Sequence, residues 1–93
     1  MIRRARASDA GWVATLNAHH ASVVPEELAR SFVDRHAIWY VDDEAGAVVW
    51  VSLEREKREV MGAWLLPRTM TLAVAKRLLG AAYREAARRI PES

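Results

Sequence analysis

Residues 37–66 constrain the fold more than any other part of the chain. Three runs dense in strand-forming side chains lie close together there: Ala37–Val41 (AIWYV), Ala47–Glu54 (AVVWVSLE) and Glu59–Leu66 (EVMGAWLL). Branched and aromatic residues suit a pleated, half-buried surface. The joins are short. Asp42-Asp43-Glu44-Ala45-Gly46 is turn chemistry, with Gly46 free to take a positive φ. Arg55-Glu56-Lys57-Arg58 is a charged second turn, and Pro67 stops the third run. A parallel return would need a crossover of a dozen or more residues, so these strands pair antiparallel.

The flanks read as helices. Met1–Ala7 is a short strand carried by Ile2, after which Ser8 or Asp9 can cap a helix over Asp9–His20, with Trp12, Val13 and Leu16 at helical spacing. Pro25-Glu26-Glu27 opens a second helix: proline is preorganised for the first turn, and the carboxylates complement the helix dipole. Leu28 and Phe32 form its buried stripe, and it is expected to end near Arg35 or His36. Thr69 or Thr71 caps a long helix from about Thr71 to Ile90, stopped by Pro91. Leu72, Ala75, Leu78, Leu79, Ala82, Tyr83, Ala86 and Ile90 fall on one side of it, and Lys76, Arg77, Arg84 and Arg88 mostly on the other. The order β-α-α-β-β-β-α predicts a single α+β domain over residues 1–93, with about four mostly antiparallel strands and three helices.

Composition excludes several classes. With 93 residues and no cysteine, a disulfide framework, a thiolate zinc site and a cysteine nucleophile are ruled out. No apolar run approaches the ~18 residues of a membrane span. The basic start Met1–Arg6 lacks the apolar segment of a signal peptide, so a cytoplasmic or virion-associated protein is expected rather than a secreted one. Fourteen basic residues, twelve of them arginine, face twelve acidic ones. Arg68, Lys76, Arg77, Arg84, Arg88 and Arg89 concentrate in the last third. Such a set meets either solvent or an acidic partner, nucleic acid among them.

The element order, the opening Ile2-Arg3-Arg4-Ala5-Arg6-Ala7-Ser8-Asp9-Ala10 and the stretch Leu65–Arg89 together resemble the first half of the GNAT N-acetyltransferase superfamily. The resemblance spans the whole chain but lacks the family's C-terminal part. It implies that the family's pyrophosphate loop falls on Met70, Thr71, Leu72, Ala73, Val74 and Ala75, with Leu78-Leu79 at the paired-leucine position. Such a loop turns backbone N–H groups toward phosphate at a helix N-terminus. Here Met70 stands where the family has Gln or Arg, and Ala73 replaces the central glycine. The resemblance also makes Glu59, at the start of the fourth strand, the candidate general base. Tyr83 cannot be the family's acid tyrosine, which lies in a later helix.

Other chemistry is sparse. His19, His20 and His36 are the only histidines; adjacent histidines on a helix diverge by about 100°, so no metal site is expected. Ser8, Ser22, Ser31 and Ser52 lack a nucleophile context. The acidic turn at Asp42–Glu44 reads as a solvated loop. Four tryptophans, Trp12, Trp39, Trp50 and Trp64, are many for this length: some fill the core, and others suit an interface. An apolar last strand left at a sheet edge invites a partner.

Two functions therefore compete. One is a non-catalytic binding or structural module on a degenerate GNAT-like fold, assembling with a protein partner or itself through Trp50, Val60, Trp64 and Leu66, and needing no cofactor. Short GNAT-like proteins occur among phage virion genes, which makes a virion component one setting for it. The other is an acetyl-CoA-dependent N-acetyltransferase working as an oligomer. A small nucleic-acid-binding protein is a third reading; a membrane is not an expected partner.

Overall fold

A computed structural model describes residues 1–17, 24–54, 59–66 and 70–89, with the backbone alone for Asn17, Glu54 and residues 59–66. The elements run β1 (Ile2–Arg4), α1 (Ala10–Asn17), α2 (Pro25–Phe32), β2 (Ala37–Asp42), β3 (Ala47–Glu54), β4 (Glu59–Leu66) and α3 (Leu72–Arg89). The strands form one antiparallel sheet in the order β1-β2-β3-β4. This is the α+β arrangement expected, with three helices.

Alternation along the strands explains why both faces of the sheet are covered. Trp39, Val41 and Val48 pack into one core with Val13, Leu28 and Phe32 of α1 and α2. Ile38, Val49 and Val51 pack into a second core with Leu78, Ala82 and Ala86 of α3. Successive side chains on a strand point to opposite faces. A strand buried on both faces therefore reads as a continuous apolar run, as β2 and β3 do. Phe32 meets Trp39 edge to face with ring centroids 5.2 Å apart, and Trp50 lies 6.0 Å from Trp39. The Trp39 indole N–H donates to Ser31 Oγ at 2.9 Å, so its polar tip is satisfied inside the core.

Several boundaries differ from the expectation. The first strand is three residues long, because Ala7–Asp9 winds into a single 3-10 turn leading into α1. The second helix stops at Phe32: Val33 leaves the helical region at ψ 0° as the C-cap and is 82% exposed. On α3, Leu72 and Tyr83 are exposed rather than buried. The buried residues are Leu78, Ala81, Ala82, Glu85 and Ala86; Leu72 opens the helix, and Tyr83 points about 100° round the axis from Ala82. Residues 18–20 at the end of the first predicted helix, His19 and His20 among them, lie outside the described residues.

The β2–β3 turn is also better built than a solvated loop. Asp42 is buried, and its Oδ1 accepts the N–H groups of Glu44 at 3.1 Å and Ala45 at 3.2 Å. The Ala45 N–H, set against burial and joined by that of Glu44, holds the Asp42 carboxyl below the usual range. Asp43 and Glu44 remain exposed. Gly46 closes the turn at φ 63°. Gly46→Ala should cost about 1 kcal/mol, the penalty of a Cβ in the left-handed region, and thermal unfolding should show a drop of roughly 4–8 °C.

Candidate functional site

The site suggested by the sequence has two parts, the outer edge of β4 and the start of α3. β4 pairs with β3 along its length, setting Val48 opposite Leu66, Trp50 opposite Trp64 and Glu54 opposite Glu59. The register shifts once: Ser52 opposes Gly62, whereas Leu53 opposes Val60, so Met61 is an extra residue on β4. Such a bulge bends an edge strand and disrupts the ladder locally. Among the described residues β3 is the only strand beside β4, so the other side of β4 is a sheet edge. The side chains of Glu59, Val60, Trp64 and Leu66 lie outside the described residues. Trp50 is half-buried against the first core.

At the start of α3, Thr71 acts as the cap. Its Oγ1 accepts the Val74 N–H at 3.3 Å and its carbonyl accepts the Ala75 N–H at 3.0 Å. Met70 and Val74 pack against the second core, while Thr71, Leu72 and Ala73 face solvent. Met70 therefore packs into the seam between the sheet and α3. What remains available to an anion is the backbone at Leu72 and Ala73, the latter with its methyl group.

Other candidates stay apart. His36 is exposed and donates only its backbone N–H, to Asp34 Oδ1 at 2.8 Å. No group of three potential metal ligands occurs among the described residues.

Two buried carboxylates carry most of the polar organisation, and sequence reasoning saw the role of neither. Asp9 accepts both guanidinium nitrogens of Arg3, at 2.7 and 3.0 Å, the Arg6 N–H at 2.8 Å and the Trp12 indole N–H at 2.9 Å. The Arg3 guanidinium outweighs burial, and with those N–H groups holds the Asp9 carboxyl well below the usual carboxylate range. The spacing of Arg6 and Trp12, three residues on either side, was the signal for it. Glu85, on the buried side of α3, accepts the Tyr40 hydroxyl at 2.9 Å and pairs with Arg89 and, at 3.5 Å, with Arg4. Arg89 also donates to the carbonyls of Arg35 and Ala37, tying the end of α3 to the entry of β2. Burial and the Glu85 carboxylate push the Tyr40 hydroxyl up from its ordinary value.

Among the described residues no helix is long and apolar enough to cross a membrane. Comparison of the chain with protein-family models, with curated proteins and with solved structures returned no match.

Proposed function

We propose that the chain is a non-catalytic assembly module on a GNAT-like framework, which works by adding a protein strand to the edge of β4. The asymmetry of the two sheet edges carries this reading. β1 is three residues long and two of them are arginine, a form of edge that resists further pairing. β4 is eight residues long with one charged residue, at its first position. Long apolar edges are templates for another strand. A second copy fits on chemical grounds. An antiparallel two-fold register centred between Gly62 and Ala63 sets Glu59 opposite Leu66 and keeps like charges apart. Light scattering over a concentration series should give twice the 10.5 kDa chain mass. Met61→Pro, at the bulge where proline is tolerated on an edge, should return the mass to that of one chain with unchanged circular dichroism. A single-chain mass at every concentration would overturn self-pairing.

The start of α3 favours acetyl-CoA-dependent N-acetyl transfer as the second reading, with Glu59 as base and residues Met70–Ala75 at the pyrophosphate. Its support is the exposed backbone at Leu72 and Ala73. A calorimetric titration with acetyl-CoA separates the two. The assembly reading expects no saturable heat at millimolar ligand. A dissociation constant at or below about 100 μM, about −5.5 kcal/mol, would establish the cofactor site instead.

A further inference from the structure

The flank of α3 that faces β1 carries a feature that neither reading uses. A groove of about 600 Å³ runs between that helix and the edge of the sheet. Its apolar lining is Ile2, Ala81 and the ring of Tyr40; its polar lining is Arg77, Arg84, Arg88 and Lys76. Among the described residues no carboxylate lines it. The nearest, Glu85, is already engaged by Tyr40, Arg89 and Arg4, and reaches Arg88 only at 3.8 Å. Among the described residues Lys76, Arg77 and Arg84 form no ion pair.

Three arginines at positions 77, 84 and 88 recur at helical spacing, so their guanidinium groups form one row along the helix. At 1.5 Å per residue the row extends for roughly 16 Å. That length exceeds a single phosphate and suits several in succession. Guanidinium is the side chain that binds phosphate oxygens in pairs, and the apolar lining beside the row offers a surface for a ring. The volume lies within the ~300–1,000 Å³ of small-ligand sites.

We infer that this groove between α3 and β1 is a binding site for nucleotide phosphates, with the arginine row holding the phosphates and the Ile2–Tyr40–Ala81 surface receiving the base. The shared chemistry admits a free nucleoside triphosphate or a single-stranded nucleic acid. The groove lies along residues 76–88 of α3, is lined by none of Met70–Ala75, and is independent of strand addition at β4.

The test is fluorescence polarisation of a short labelled oligothymidylate at low salt, with ATP and poly-L-glutamate as competitors. Saturable binding is expected, weakened at least about tenfold in the double variant Arg77→Ala/Arg84→Ala. The slope of log affinity against log salt should fall in magnitude by about 0.7 for each phosphate contact removed. Arg30→Ala, an exposed arginine on α2, should leave binding near that of the parent. Displacement by ATP at micromolar concentration would assign the site to free nucleotides, and displacement only at far higher concentration would assign it to strands. Three results would overturn the inference: no binding at low salt, an equal loss in Arg30→Ala, or competition by poly-L-glutamate as strong as that by the oligonucleotide. Circular dichroism of the variants keeps a folding defect from passing as lost contact.

Discussion

Replacing Asp9 with alanine should lower the unfolding free energy by about 3 kcal/mol, the scale for breaking a buried ion pair from one side. Asp9 is 4% exposed and has four donors converging on it. Without the carboxylate the Arg3 guanidinium, the Arg6 N–H and the Trp12 indole lose their shared acceptor at once. For a domain of this size each kcal/mol moves the melting temperature by about 4–8 °C, so a fall of roughly 15 °C is expected by calorimetry. The pH dependence follows from the depressed folded-state pKa. The contribution of Asp9 is fully present above its unfolded value, about 3.9, and is lost as pH falls toward the folded value. The parent chain should therefore weaken below about pH 4 more steeply than Asp9→Asn. Identical acid limbs for the two would show that the cluster contributes nothing.

Replacing Glu85 with alanine should cost about 3 kcal/mol on the same physical ground. Glu85 is 6% exposed and joins β2, through Tyr40, to the last turn of α3, through Arg89. Its removal leaves the half-buried Tyr40 hydroxyl without its acceptor and takes the carboxylate from beside the Arg89 guanidinium. Glu85→Gln keeps an oxygen for Tyr40 and loses the charge facing Arg89, so a smaller loss is expected. The alkaline side carries a second sign. Tyr40 has a raised folded-state pKa, so its contribution is present below its unfolded value, about 10, and fades as pH rises through the folded value. Tyr40→Phe should flatten that alkaline limb in urea titrations. A Glu85→Ala chain as stable as the parent would mean that water replaces the carboxylate without cost.

These two carboxylates also mark where the sequence stopped being legible. β2, β3 and β4 are found where the runs of strand-forming residues place them, with the Asp-Asp-Glu-Ala-Gly turn between the first two, because hairpin pairing is a local property. The two cores follow from the period-two alternation in β2 and β3. Ser8 or Asp9 read as a helix cap from residue type and place alone; the strongest partner of Asp9, Arg3, comes from β1 and depends on how the first strand docks. Nothing in the sequence sets Glu85 apart from any other glutamate on an alanine- and arginine-rich helix. Only the approach of β2 beneath α3 buries it. Leu72 and Tyr83 failed for a related reason: a broad apolar arc on a helix does not say where the narrow contact line of an alanine-rich surface will fall. The candidate site was legible in position and not in detail. The start of α3 appears at Thr71–Leu72 as expected, but that Met70 packs against the second core required the sheet to be in place.

Hydrogen exchange along β4 tests the assembly account most directly. An edge strand has one set of amides bonded to its neighbour and an alternate set facing outward. Exchange followed by mass spectrometry with residue-level fragmentation, over a range of chain concentrations, reads the two sets separately. Assembly through the β4 edge predicts that the outward amides within residues 59–66 gain protection as concentration rises, while β2 and β3 stay protected throughout. Outward amides that exchange at the unprotected rate at every concentration, beside a stable β2–β3 pair, would contradict it.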